Sequence, residues 1–92
     1  GREISESAEI LNLVGVCTSA LGEFQDALHL FNLALKKEPG YSPARANKVA
    51  LLAKFGHRRA SRKEAKRLRG TSYEKGDPRI IPAYHQHVGG VQ

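Results

Sequence analysis

The chain has 92 residues, of which 26 % are charged and 40 % hydrophobic, and its formal net charge is +6. This length allows one domain, and the composition excludes a fibrous or a wholly disordered chain. The longest apolar runs, such as residues 49–53, are too short to cross a membrane. With no Trp and 7 % aromatic residues, the core must be small, and a large catalytic cleft is not expected.

One cysteine, Cys17, is present, so no internal disulfide can form. Residues 1–5 lack the apolar segment of a secretory signal peptide. Both features predict an intracellular location, with the cytoplasm as the default compartment.

Positive charge is concentrated in the second part of the chain. Residues 1–35 carry one base and five acids, whereas residues 36–92 carry fourteen bases and four acids. The basic patch, within residues 57–69, consists of Arg58, Arg59, Arg62, Lys63, Lys66, Arg67 and Arg69. Such a patch attracts acidic protein surfaces, nucleic-acid phosphates and anionic lipid heads alike, and it also suits a solvated helix face.

Two amphipathic helices are predicted in the first half of the chain. The first runs from Ser5 to Leu21 and is ended by Gly22. Its expected apolar stripe is Leu11, Val14, Thr18 and Leu21, widened by Ile10 and Cys17. The second ends in Lys36 and Lys37, before Glu38-Pro39-Gly40. Its expected buried face is Phe24, Ala27, Leu28, Phe31, Ala34 and Leu35.

Two further helices are predicted after residue 41. Ser42-Pro43 resembles an N-cap followed by proline in the first turn, and the third helix should run to about Phe55. Its expected buried residues are Ala46, Val49, Ala50, Leu52 and Ala53. Ser61 and Glu64 have the spacing of a capping box, which would start a basic fourth helix reaching about Arg69. The predicted fold is therefore all-α, with two antiparallel helical hairpins.

The last part of the chain, residues 70–92, has no helical or strand period. Glycine and proline recur in it, and Ile80, Ile81, Tyr84 and Val88 are its apolar residues. We predict an extended or disordered C-terminal arm following a helical domain at residues 1–69.

Gly22 and Gly56 lie 34 residues apart, each just after a predicted helix. Around the first glycine, the pattern is Leu11, Val14, Gly15, Thr18, Gly22, Phe24, Ala27, Phe31, Ala34 and Pro39. This pattern resembles a tetratricopeptide repeat over residues 8–41, although Leu11 and Thr18 stand where that family usually has Trp and Tyr. The resemblance implies a fragment of an α-solenoid in which Gly15, Ala27 and Ala34 let two helices pack closely.

The second unit, residues 42–69, matches this pattern less well. Residues 47–56 resemble the first helix of such a repeat, but His57 and Arg58 depart from the usual residues. Ala60 and Ala65 supply small residues one position out of register unless the turn is longer. About three repeats are usually needed for a stable stack. The chain is therefore expected to belong to a larger array, to self-associate, or to bind another protein.

No catalytic constellation is recognisable. Cys17 is expected to pack in the core as an inert thiol, and His85 and His87 make a poor metal site without a cysteine or acid nearby. No metal and no cofactor are predicted. Residues 58–61 match a short basophilic kinase pattern, so Ser61 is a candidate phosphorylation site at a helix N-terminus.

The resemblance also implies a peptide-binding groove on the first helix of each repeat. The corresponding positions here are Glu9, Asn12, Val16, Ser19, Ala46, Asn47, Ala50 and Lys54. Asn47 matches an asparagine that holds a C-terminal carboxylate in chaperone-binding members, but Asn12 and Val16 break the rest of that clamp. The implied groove is small and apolar, and suits a helix or an aliphatic side chain.

The sequence therefore predicts a non-catalytic scaffold module. It would bind a peptide or helix of another protein in a shallow groove, and the basic patch would anchor the partner electrostatically. The alternative is a basic subunit associated with nucleic acid in a ribonucleoprotein, although residues 57–69 contain no Phe, Tyr or Trp to stack on bases.

Overall fold

A computed structural model describes residues 7–68 of the chain. These residues are all-helical, as predicted, and contain no strand. The helices are α1 (Ala8–Ala20), α2 (Phe24–Lys37), α3 (Ser42–Lys54) and α4 (Arg58–Ala65), and a short 3₁₀ helix (Lys66–Leu68) continues α4. The predicted arm at residues 70–92, Arg69 of the basic patch, and both His85 and His87 lie outside the described residues.

Local signals in the sequence place the helix ends. Ser7 caps α1, because its Oγ accepts a hydrogen bond from the Ile10 backbone N–H at 3.2 Å. Gly22 and Gly56 end α1 and α3 with φ of +81° and +88°, the left-handed region that glycine adopts at low cost. Pro43 lies in the first turn of α3, where its missing N–H is not needed.

The chain repeats its backbone structure at an interval of 34 residues. α1 spans 8–20 and α3 spans 42–54, and α2 and α4 begin at 24 and 58. The hydrogen bonds that close the two turns recur at the same interval. The Glu23 N–H donates to the Thr18 carbonyl at 3.2 Å, and the His57 N–H donates to the Leu52 carbonyl at 2.8 Å. The turn of the second unit is therefore no longer than that of the first, and Ala60 lies one position before the equivalent of Ala27, which is Ser61.

Small residues let α1 and α2 approach each other closely. Ala27, Phe31 and Ala34 are completely buried, as predicted. A Cβ built on Gly15 would lie 2.6 Å from Cε1 of Phe31, so the ring occupies the space that any larger side chain would need. α2 also packs against α3, where Leu51 joins Ala27 and Phe31 in one apolar cluster.

In the second unit, different residues form the corresponding contact between the two helices. At the interval of 34, Val49 and Ala65 correspond to Gly15 and Phe31, and the two pack in one cluster. The large side chain has therefore moved from the second helix of the unit to the first. Leu68 corresponds to Ala34 and packs against Ala46 and Ala50 of α3.

The expected start of the fourth helix is wrong. α4 begins at Arg58, with His57 at its N-cap position. Ser61 lies inside the helix at the position that corresponds to Ala27, and its Oγ donates to the Val49 carbonyl at 2.9 Å. The expected capping box does not form, since the Glu64 carboxylate bonds to α3 instead.

The expected apolar stripe of α1 is also wrong in part. Leu11 is buried, but Ile10, Val14 and Leu21 are 48 %, 45 % and 74 % exposed, and Cys17 is exposed as well. α1 is apolar on more than one side, and the side that packs on α2 and α3 is Ala8, Leu11, Asn12, Gly15 and Ser19. Cys17 is therefore not the core residue that its surroundings in the sequence suggested.

We predict that Gly15→Ala lowers the free energy of unfolding by up to about 2 kcal/mol. Alanine favours a helix over glycine by about 1 kcal/mol, but its Cβ would overlap the fully buried Phe31 ring, at a cost of about 1–3 kcal/mol. Urea denaturation followed by circular dichroism measures the change.

The matched control is Gly40→Ala, because a Cβ at Gly40 meets nothing within 4 Å and its φ is not positive. We expect that variant to stay within about 0.5 kcal/mol of the parent. Equal stabilities for the two variants would show that the Gly15–Phe31 contact does not limit the helix spacing.

Candidate functional site

The basic patch forms one exposed face of α4. Arg58, Arg59, Arg62 and Lys63 are all exposed, and at 100° per residue they cover about 140° of the helix circumference. Lys66 and Arg67 extend the face along the 3₁₀ helix and are also exposed. We call these six residues the α4 basic face. The structure thus brings together six of the seven predicted patch residues.

The opposite side of α4 is directed into the protein. Ser61 and Leu68 are buried, and Ala65 packs against the cluster formed by Ala46, Val49 and Ala50. α4 is therefore amphipathic. A narrow side of the helix packs against α3, and the wider charged side faces solvent.

Glu64 is the single acid in α4, and its carboxylate bonds to α3. Its Oε1 accepts from Arg45 at 2.7 Å and its Oε2 from Lys48 at 3.1 Å, while Arg67 lies 3.9 Å from Oε2. The Glu64 side chain is only 13 % exposed. Because its charge is neutralised there, it does not interrupt the α4 basic face.

The environment of Glu64 lowers its pKa. Burial by itself would raise the pKa, but the hydrogen bond and positive charge of Lys48, followed by those of Arg45, outweigh burial. The carboxylate is therefore ionised over a wider pH range than a free glutamate, and it links α3 to α4.

Two surface clefts border the α4 basic face. One, of about 320 Å³, is lined by Ala53, Arg58, Ser61 and Arg62. The other, of about 300 Å³, lies between α2 and α4, and Lys63 and Arg67 contribute to its walls. Each cleft has two cations of the face at its border, so an acidic group bound there would be contacted from more than one side.

An aromatic cluster lies at the N-terminal end of α4. The Phe24 ring stacks on the His57 imidazole, with centroids 5.0 Å apart and planes 9° apart, and packs against the Phe55 ring at 5.0 Å. Phe55 remains 39 % exposed. The sequence analysis did not predict this cluster, because Phe24 is far from Phe55 and His57 in the sequence. The 34-residue interval between the two turns could have indicated that the three residues lie close together.

Most of the predicted groove is closed. Five of its eight residues are buried, namely Asn12, Ser19, Ala46, Asn47 and Ala50, so the prediction that they line an open groove is wrong. The Asn47 Nδ2 donates to the Asn12 Oδ1 at 2.6 Å, which joins α1 directly to α3, and Leu68 covers Ala46 and Ala50.

The other three groove residues differ from one another. Glu9 and Lys54 are exposed, whereas Val16 is half-buried and contacts two of the core clusters. A charged substitution at Val16 would therefore disturb the core, and it is unsuitable as a test of binding.

Ser61, the candidate phosphorylation site, is buried in this fold. The residue is 3 % exposed and its hydroxyl bonds to the Val49 carbonyl, so a kinase cannot reach it without unfolding α4. The contact between α3 and α4 requires a small residue at position 61, and this requirement explains the serine without a kinase.

Neither a membrane span nor a metal cluster is found among residues 7–68. No helix in this range is both long and apolar enough to cross a bilayer, and no three His, Cys, Asp or Glu side chains in it converge on a common point.

Comparison with known proteins gives no relative. No family model matches the chain, and no curated protein or solved structure is significantly similar to it. The resemblance to tetratricopeptide repeats therefore stays a prediction.

We predict that Glu64→Gln lowers the free energy of unfolding by about 1 kcal/mol at pH 7, since a half-buried network of three charges loses its acid. Because folding lowers the pKa of Glu64, its contribution is fully present above about pH 4.5 and is lost as the pH falls through the folded-state pKa. Urea denaturation at pH 7 and pH 3 should show the difference between the two proteins shrinking at pH 3.

The control for this prediction is Glu38→Gln, an exposed acid just after α2, which should change stability much less. A Glu64→Gln difference that persists unchanged at pH 3 would contradict the proposed role of the carboxylate.

We predict that Ser61→Asp destabilises the protein by more than about 2 kcal/mol, because it places a charge in the α3–α4 contact. Ala60→Asp is its matched control, since Ala60 is exposed on the same turn, and it should cost less than about 0.5 kcal/mol. Thermal and urea denaturation measure both changes. Efficient phosphorylation of Ser61 in the native protein would contradict the assigned burial.

Proposed function

We propose that this protein is a non-catalytic interaction module of tetratricopeptide type, which binds an acidic surface of a partner protein through the α4 basic face. The observation that carries the proposal is the position of Glu64. The single acid of α4 is turned inward and neutralised by Arg45 and Lys48, and of the six outward cations it approaches Arg67, at 3.9 Å, with its Oε2.

The α4 basic face is suited to electrostatic docking. Its cations point outward over a wide arc, and the flanking clefts give partner carboxylates two places to enter between cations. Arginine contributes four of the six residues, and its planar fork can pair with a carboxylate through two hydrogen bonds. Such a surface speeds association and selects acidic partners.

The 34-residue repeat supports the tetratricopeptide part of the proposal. Helix starts and turn hydrogen bonds recur at that interval, which is the length of one repeat in that family. The closed groove changes the expected binding mode, however. The partner is proposed to dock on the outside of α4, because five of the residues of the implied groove are buried.

Nucleic acid is the second candidate partner, and the aromatic cluster favours it. Phe55 is partly exposed and precedes Arg58 by three residues in the sequence, so a base could stack near a cation. The protein partner is preferred because the Phe24 ring is already engaged by Phe55 and His57, and the six residues of the α4 basic face include no aromatic residue.

We predict that Arg62→Glu combined with Lys66→Glu abolishes binding through the α4 basic face. Both residues are exposed, so the variant should stay folded by circular dichroism. Retention on heparin should fall steeply with salt for the parent and should be lost in the variant. The matched control is Lys36→Glu combined with Lys37→Glu, which changes the net charge equally at the exposed end of α2 and should be retained like the parent.

A photo-crosslinking residue at Ala60, which is exposed within α4, then separates the two candidate partners. In extract of the source cells, we expect nuclease-resistant protein adducts that map to acidic segments and disappear in the Arg62→Glu, Lys66→Glu variant. Nuclease-sensitive adducts that weaken on Phe55→Ala would instead support nucleic acid, and adducts unchanged by the charge reversal would overturn both candidates.

A further inference from the structure

α1 carries a second exposed surface that the proposed function does not use. Ile10, Leu13, Val14, Cys17 and Leu21 lie on one side of the helix, and the four large residues among them are 41–74 % exposed. We call these five residues the α1 stripe. A continuous row of exposed large apolar side chains on a small protein indicates an interaction site.

The internal repeat shows what covers the same side of α3. At the interval of 34, Ile10 and Cys17 correspond to Ala44 and Leu51, both of which are completely buried. Ala44 lies in one cluster with Ala34, and Leu51 lies in another with Ala27 and Phe31. α2 therefore covers on α3 the side that is left open on α1.

The direction of that contact is also fixed. The C-terminal part of α2, at Ala34, meets the N-terminal part of α3, and the N-terminal part of α2, at Ala27, meets the C-terminal part of α3. A helix that covers the α1 stripe in the same way would lie antiparallel to α1. Its contact face would follow the pattern of Ala27, Phe31 and Ala34.

The charged residues at the two ends of the α1 stripe indicate which charges a covering helix should carry at its own ends. Glu9 lies near one end and Glu23 near the other, and both are exposed. α1 itself contains no Lys or Arg, so the charges that the helix and the turn after it contribute beside the stripe are those of Glu9 and Glu23. Basic residues at both ends of an incoming helix would complement them.

We propose that the α1 stripe is the docking site for an amphipathic helix of a partner protein, which lies antiparallel to α1, presents a small–aromatic–small face and carries basic residues at both ends. This surface is separate from the α4 basic face. Its failure would leave the proposed function unaffected, and the converse also holds.

A second copy of the chain fits the α1 stripe poorly. Two α1 helices packed antiparallel about a twofold axis would pair Ile10 with Leu21 of the other copy, and would thereby bring Glu9 close to the other Glu23. Like charges in such positions oppose association. The other end of a second copy offers the α4 basic face, which has no large apolar side chain to cover the stripe.

The experiment uses Cys17, the single cysteine of the full sequence, as a reporter in the middle of the stripe. The rate of its reaction with Ellman's reagent is measured on the full 92-residue chain. The probe is a synthetic peptide with the sequence of residues 23–38, altered by Glu23→Lys and Asp26→Lys so that both ends are basic. We expect a fast reaction in the free chain, independent of protein concentration, and at least a tenfold slower reaction at saturating peptide.

Two variants test where the peptide binds. Ile10→Lys places a charge on the stripe at an exposed position, and should raise the dissociation constant of the peptide at least tenfold. Gln25→Lys makes a similar change at an exposed position of α2 away from the stripe, and should change it less than twofold. The unaltered peptide of residues 23–38 should bind more weakly than the basic one.

Every other result overturns the proposal. A slow Cys17 reaction in the dilute free chain would mean that the chain covers its own stripe. A reaction that slows as the protein concentration rises would identify a second copy as the occupant. A reaction that the peptide does not slow, or binding that Ile10→Lys leaves intact, would show that the stripe does not accept this kind of helix.

Discussion

The close contact between Gly15 and the Phe31 ring is the constraint on which the rest of the structure depends. With only 2.6 Å between a Cβ at Gly15 and the ring, α1 and α2 can pack at this distance with phenylalanine at position 31 only if position 15 is glycine. The second unit meets the same requirement with Val49 and Ala65. What the two units share is the combined size of two facing side chains, and neither position by itself is restricted to one residue type.

This spacing determines which sides of the outer helices face solvent. α1 must direct Gly15 and Leu11 inward, so its other apolar residues, Ile10, Val14 and Leu21, turn outward. α4 directs Ser61 and Leu68 inward, and its cations turn outward. The two outer helices therefore present surfaces of opposite character, one apolar with acidic flanks and one basic. These are the two surfaces for which docking is proposed.

The sequence predicted the helices, their glycine ends and the buried face of α2, because turn chemistry and the spacing of Ala27, Phe31 and Ala34 are local signals. Three site predictions were wrong for physical reasons. Cys17 lies on a helix that is apolar on several sides, and periodicity cannot say which side meets a neighbour. Ser61 suits both a helix cap and a tight helix contact. The groove residues were expected to be exposed, but most of them are buried. Local sequence patterns could not predict that Leu68 packs on Ala46 or that Asn12 pairs with Asn47.

The buried Asn12–Asn47 hydrogen bond has a consequence for how the two units behave together. The two side chains are 0 % exposed and their amides are 2.6 Å apart, so sliding α1 along α3 by one turn would break a buried hydrogen bond. The hydrogen bond between Asn12 and Asn47 therefore favours one register of α1 against α3. It also ties the opening of one unit to that of the other, so that the pair is expected to melt as one cooperative body rather than in two stages.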